Sequence, residues 1–98
     1  MPTYLALHSH ETDGARTIRQ LPDRVEGARQ LAQSMDCEVE YYLLNGQYDS
    51  AVLVDAPDGT TAKQLALGVT STGTVTTEFQ RAFPESDLGE LAEGIPEP

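Results

Sequence analysis

The stretch Cys37-Glu38-Val39-Glu40-Tyr41-Tyr42-Leu43-Leu44-Asn45-Gly46-Gln47-Tyr48-Asp49-Ser50-Ala51-Val52-Leu53-Val54-Asp55-Ala56 decides the fold. It holds two β-rich runs, residues 37–44 and 47–56, separated by Asn45-Gly46. A type I′ turn needs positive φ at both central positions, which Asn and Gly tolerate, so the stretch predicts a hairpin. A two-residue turn sets Leu43 against Tyr48, Tyr41 against Ser50 and Val39 against Val52, all on one side of the sheet. Glu40, Tyr42, Asp49, Ala51 and Leu53 then share the other side.

Upstream, residues 3–9 alternate as a first strand, with Leu5 and Leu7 expected beneath the helices and Tyr4, Ala6 and His8 on the opposite face. Glu11-Thr12-Asp13-Gly14 reads as a turn, and residues 14–20 as a short helical piece. A longer helix restarts near Pro22, because proline is tolerated at the first helical position. Val25, Ala28, Ala32 and Met35 recur at three- and four-residue spacing and give it one apolar stripe. Downstream, Ala56-Pro57-Asp58-Gly59 ends the hairpin. Residues 60–69 form a second helix with Ala62, Leu65, Ala66 and Val69 inward. After the turn Ser71-Thr72-Gly73, residues 74–83 make the last strand. There Val75, Thr77 and Phe79 alternate with Thr74, Thr76, Glu78 and Gln80.

The order is β-α-β-β-α-β. Right-handed crossovers place both helices on one side of the sheet. The fold class is therefore α+β, ferredoxin-like βαββαβ, a four-stranded antiparallel sheet in the order 4-1-3-2 with two helices on one face. Residues 1–83 form the domain. Residues 84–98 form an acidic C-terminal tail, poorly ordered or with a short helical turn around Leu88 to Leu91.

Composition bounds the function. Ninety-eight residues allow one domain with one core. No apolar run approaches the roughly 20 residues of a membrane span. Met1-Pro2-Thr3-Tyr4 offers no signal peptide, so a cytoplasmic location is expected. The formal charge of −10 disfavours phosphate backbones and anionic membranes, so neither nucleic acid nor membrane is an expected partner. The tail holds five acids and no base, and the other 83 residues hold eleven acids and six bases. Acid spread over body and tail, with one lysine, is what a salt-rich cytoplasm favours, and points to a halophilic protein. Single Cys37 excludes an internal disulfide and a cysteine-based zinc site, and reads as a small buried apolar residue.

Glycine-rich phosphate loops and the HExxH and GxSxG patterns are absent, and no cofactor is expected. His8 and His10, two apart, point the same way in a strand, but two nitrogens without further ligands make no metal site. The candidate catalytic groups are His8, whose ordinary pKa suits proton transfer, Tyr42, facing a pocket, and Asp49, as acid, base or anchor. Tyr4, Tyr48, Glu78 and Arg19 are candidate ligand-binding residues. Each has a structural alternative. Gly46 permits the turn, Tyr48 packs on Leu43, and Asp49 accepts backbone N–H bonds beside the hairpin. His8 serves as an interface histidine, and Arg16, Arg19 and Arg24 pair with Glu11, Asp13 and Asp23.

Asn45-Gly46-Gln47-Tyr48-Asp49, with Ser50 to Asp58 after it, resembles the GYD-domain proteins. So do Met1-Pro2-Thr3-Tyr4, Thr12-Asp13-Gly14, Ile18 to Arg24 and Val75 to Phe83. The resemblance covers about residues 2–83. It implies a ferredoxin-like domain similar to the dimeric α+β barrels, in which two sheets pack face to face. It implies no general reaction.

A sheet with both helices on one side leaves the other side uncovered, so a homodimer or higher homo-oligomer through that open face is expected. The expected function is a ligand-binding or regulatory module that uses the sheet-face cleft for a small molecule. The alternatives are a cofactor-free isomerase or monooxygenase, and a purely structural oligomer.

Overall fold

The computed structural model describes residues 1–11, 18–73 and 75–98. The turn at 12–14, Arg16, most of the helical piece at 14–20, and Thr74 lie outside the described residues. The strands are β1 (Thr3–His10), β2 (Glu38–Leu43), β3 (Ser50–Asp55) and β4 (Val75–Ala82), and the helices are α1 (Leu21–Ser34), α2 (Gly59–Thr70) and α3 (Leu88–Glu93). Short 3-10 turns at Ile18–Gln20 and Glu85–Asp87 precede α1 and α3. All pairings are antiparallel, in the order β2-β3-β1-β4, which is 4-1-3-2 read from the other edge.

Each long helix begins and ends for a local reason. Pro22 sits in the first turn of α1, where its missing N–H is no loss. At the other end, the Cys37 N–H donates to the Ala32 carbonyl at 2.9 Å and the Asp36 N–H to Gln33 at 3.1 Å. Asp36 takes φ 59°, the left-handed conformation this closure needs, at a residue other than the usual glycine. Asp58 caps α2, its carboxylate accepting from the Thr61 N–H at 2.7 Å.

Both long helices lie on one side of the sheet. Ala32 from α1 and Ala62 and Leu65 from α2 form one buried cluster with Cys37, Val54 and Ala56, flanked by Tyr4, Val39, Val52 and Phe79. The stripes read from the spacing are the ones turned toward the sheet.

Two expectations fail. The hairpin has no two-residue turn. Residues 44–49 form a six-residue loop, closed by the Leu44 N–H donating to the Asp49 carbonyl at 2.9 Å, and Gly46 does not adopt positive φ. The register slides by two, so Val39 pairs with Val54, Tyr41 with Val52 and Leu43 with Ser50. A slide of two keeps every residue on its expected face, because side chains alternate with period two. It does remove the Tyr48–Leu43 contact.

The second failure is larger: β1 is turned over. Ala6 pairs with Val52 on one side and Phe79 on the other, so Tyr4, Ala6, His8 and His10 face the helices. Leu5, paired with Leu53, and Leu7, paired with Ala51, lie on the open face. Both sets of β1 residues are apolar enough to be buried, so alternation alone did not orient the strand. Space does. Ala6, 4% exposed, fits beneath the helices between Val52 and Phe79, and Tyr4 stacks on Phe79 with ring centroids 5.3 Å apart.

Candidate functional site

The inversion of β1 splits the expected site residues between the two sides of the sheet. Tyr4 and His8 lie under the helices, while Tyr42 and Glu78 lie on the open face. His8, Tyr42 and Asp49 therefore do not converge on one pocket, as the isomerase or monooxygenase reading needed. Arg19 lies in the exposed 3-10 turn before α1.

On the open side, Leu5, Leu7, Ala51 and Leu53 form an apolar centre on β1 and β3. Glu40 and half-exposed Tyr42 extend it across β2, and Glu78 and Gln80 across β4. The Tyr42 hydroxyl bonds to Glu40, and that bond with the carboxylate's charge holds the phenol above its ordinary pKa. Glu38 and Asp55 complete an acidic rim.

The 44–49 loop closes one end of this face. The Tyr48 hydroxyl donates to the Glu78 carboxylate on β4, spanning the intervening β1, and this bond raises its pKa. The Asp49 N–H donates to the His8 carbonyl at 2.8 Å, and its carboxylate accepts from the His10 N–H at 2.7 Å. Tyr48 and Asp49 thus fasten the β2–β3 connection to β1 and β4. The structural alternative for Asp49, a backbone acceptor, is the role seen, with its partner on β1 rather than on the hairpin itself.

On the helix side, His8 is 7% exposed. Its Nδ1 lies 3.0 Å from the Thr77 Oγ1, which lies 3.1 Å from the Thr70 Oγ1. Thr70 donates its one hydroxyl proton to the Ala66 carbonyl at 2.9 Å. Thr77 must then donate to Thr70 and accept from His8, so His8 carries its proton on Nδ1 and Nε2 keeps a lone pair. Burial, and secondarily the charge of His10, lowers the His8 pKa, so the ring is neutral at pH 7.

His8 and His10 line a cavity of about 120 Å³ between the sheet and the two long helices. Its walls are mostly apolar, with Val25 and Ala28 from α1, Leu65 and Val69 from α2, and Val52 and Phe79 from the sheet. Arg24, Ser50 and Tyr41 also line it, and the Tyr41 hydroxyl is buried with no hydrogen-bond partner among the described residues. A buried hydroxyl in that state costs about 1–3 kcal/mol. Sequence reasoning placed Tyr41 and Tyr42 on opposite sides of the sheet but gave Tyr41 no role, since strand parity shows a side and not an unfilled partner.

Tyr4 is a packing residue. It lies between Phe79 and the Arg81 guanidinium, which stands 5.4 Å from the Tyr4 ring and 4.5 Å from Phe83. Burial, reinforced by the carboxylates of Asp36 and Asp58, pushes the Cys37 thiol up, which opposes a nucleophilic role. Among the described residues no three His, Cys, Asp or Glu side chains gather as metal ligands, and no helix is long and apolar enough to cross a membrane.

The model of the GYD domain matches residues 4–92, so the match runs past the expected limit at 83 and takes in most of α3. A protein of Thermus thermophilus, described as a glutamine synthetase and cystathionine beta-lyase binding protein, is 33% identical over 90 residues. That alignment covers 90% of this chain and 95% of the relative. No solved structure matches. With the loop bearing Gly46, Tyr48 and Asp49 pinned to β1 and β4, and a family match over nearly its whole length, the chain belongs to the GYD-domain family.

Proposed function

We propose that the chain is a non-catalytic binding module whose working surface is the open face of the sheet. The observation that carries this reading is the apolar centre of partly exposed Leu5, Leu7 and Leu53 around buried Ala51, on the side of the sheet away from both long helices and framed by Glu38, Glu40, Asp55 and Glu78. A contiguous apolar patch with a polar rim is the usual form of a protein-binding surface. The rim supports a partner of opposite sign: an acidic frame fits a surface with a basic margin. The Thermus relative is described as binding glutamine synthetase and cystathionine beta-lyase, and one of these enzymes is the partner we assign.

A second reading, a homodimer through the same face, rests on the same uncovered leucines. Two acidic rims repel, so self-association strengthens with salt, as a halophilic cytoplasm would supply. Under both readings the domain is residues 1–83, and 84–98 is an appendage whose Leu88, Leu91 and Ile95 remain exposed.

Titration calorimetry against the host's glutamine synthetase and cystathionine beta-lyase, with sedimentation of the chain alone at low and molar salt, separates the readings. Binding to either enzyme that is lost in Leu7→Glu and Leu53→Glu, both checked for folding by circular dichroism, supports the first. A dimer at molar salt, abolished by the same substitutions, with no enzyme binding, supports the second. Enzyme binding indifferent to both substitutions overturns the assignment of the face.

A further inference from the structure

We infer that α3 and its flanks, residues 84–98, are a second docking element: an acidic amphipathic helix that seats in an apolar groove edged by basic residues on a partner protein. This surface is separate from the open face of the sheet; only the identity of the partner rests on the reading above. Leu88, Leu91, Ala92 and Ile95 fall at i, i+3, i+4 and i+7, one side of a helix. The winding carries on past Glu93, with the Gly94 N–H donating to the Glu90 carbonyl and the Ile95 N–H to that of Ala92, each at 3.2 Å. The stripe faces water: Leu88 is 56%, Leu91 43% and Ile95 69% exposed. Among the described residues, α3 packs on the adjoining turn Glu85–Asp87 and makes no comparable contact with the sheet or the long helices. The radius of gyration, 15.1 Å, exceeds the roughly 13 Å of a compact chain of this length, in keeping with a segment that stands off the domain.

Charge selects the occupant. The segment holds Glu85, Asp87, Glu90, Glu93 and Glu97 and no base. Helices that lie on membranes present Lys and Arg to anionic headgroups, and an acidic segment is repelled by them. The open face of a second copy is framed by Glu38, Glu40, Asp55 and Glu78, again of like sign. A protein groove with an apolar floor for Leu88, Leu91 and Ile95 and basic edges for the carboxylates fits both the stripe and the charge, and is the helix-in-groove mode of recognition. An isolated helix this short is marginal in water, so the groove that buries the stripe also holds the helix. The family match extends to residue 92 and takes in Leu88, Leu91 and Ala92, which sets the stripe within the matched domain rather than on an unrelated extension.

The host's glutamine synthetase and cystathionine beta-lyase are the probes, with the full chain immobilised and binding read by surface plasmon resonance. Leu88→Ser and Leu91→Ser are each expected to weaken the complex about tenfold, mainly through faster dissociation. Glu90→Gln combined with Glu93→Gln is expected to slow association at low salt and to make no difference at molar salt. All these variants are expected to keep the Tm of the free chain, because the stripe does not pack on the domain. Loss of binding in Leu7→Glu alone, with the tail variants binding normally, overturns this inference and leaves the open face standing. Loss in the tail variants alone supports this inference and overturns the face. A clear fall in Tm in Leu88→Ser or Leu91→Ser, a tail-dependent oligomer of the chain in sedimentation, association indifferent to the two glutamates, or no binding to either enzyme would also overturn it.

Discussion

Replacing Tyr41 by Phe should make the ligand-free protein more stable, against the usual direction for a substitution in a core. The Tyr41 hydroxyl is buried and has no partner among the described residues. Folding therefore strips it of water and returns nothing. Such a group costs about 1–3 kcal/mol, and removing it leaves the ring's contacts with the cavity wall in place. A gain near the lower end, about 1 kcal/mol, corresponds to a rise of about 4–8 °C in Tm for a domain of this size. Thermal unfolding and urea titration both read it, and the urea midpoint should move with its slope unchanged. Tyr42→Phe is the control. That hydroxyl lies on the open face and bonds to Glu40 beside water, so its loss should leave Tm almost where it was. An unchanged or lowered Tm in Tyr41→Phe would mean the hydroxyl already has a partner, and the reasoning would fail.

Three further outcomes follow from the same geometry. His8 is held below its ordinary pKa by burial, so the unfolded chain takes up a proton there that the folded one resists. Its stabilisation is complete above about pH 6.5 and is lost as pH falls through the folded value; unfolding in urea from pH 7.5 to 5.5 should show a slope that His8→Gln lacks. Tyr42 and Tyr48 should ionise above the ordinary tyrosine range in an ultraviolet titration, and Glu78→Gln should bring Tyr48 alone back down. Asp49→Ala frees the His10 N–H, so amide exchange should quicken at His10 and through residues 44–49 while the α2 amides stay protected.

How much of this was legible in the sequence depends on how local each determinant is. Helix stripes are local: Ala62, Leu65, Ala66 and Val69 recur every three or four residues and face the core. The family was legible for the same reason, since Asn45 to Asp49 and the segments around it are contiguous words. The orientation of β1 was not. Tyr4-Leu5-Ala6-Leu7 is apolar on both faces, and its facing is set by β3 and β4, which lie more than forty residues away in the chain. The hairpin length failed for a related reason. Asn45-Gly46 has the chemistry of a two-residue turn, but Asp49 bonds to β1 through both backbone and side chain, and that tertiary hold outweighs the local preference. The expected residues His8, Tyr42 and Asp49 were each well placed for chemistry but did not share a site, because the error in β1 decided which side each one occupied.

That single inversion also changes what the uncovered face is for. With Tyr4, Ala6 and His8 outward, the face would have been mixed and polar, suited to a wet cleft with a proton-transfer group inside. With Leu5 and Leu7 outward beside Leu53, it becomes an apolar centre within a ring of carboxylates. The histidine moves to the helix side, where it is neutral and fixed in one tautomer by Thr77 and Thr70. The strand thus separates two surfaces that a reading of alternation alone had merged: an apolar face in an acidic frame, which we propose receives another protein, and a mostly apolar cavity beneath the helices. Tyr48 and Asp49 hold the loop at the end of β1 where the two sides meet, Tyr48 bonding to the open face at Glu78 and Asp49 to the backbone of both histidines. A substitution at Tyr48 should therefore disturb the open face first, and one at Asp49 should reach the cavity through His8 and His10.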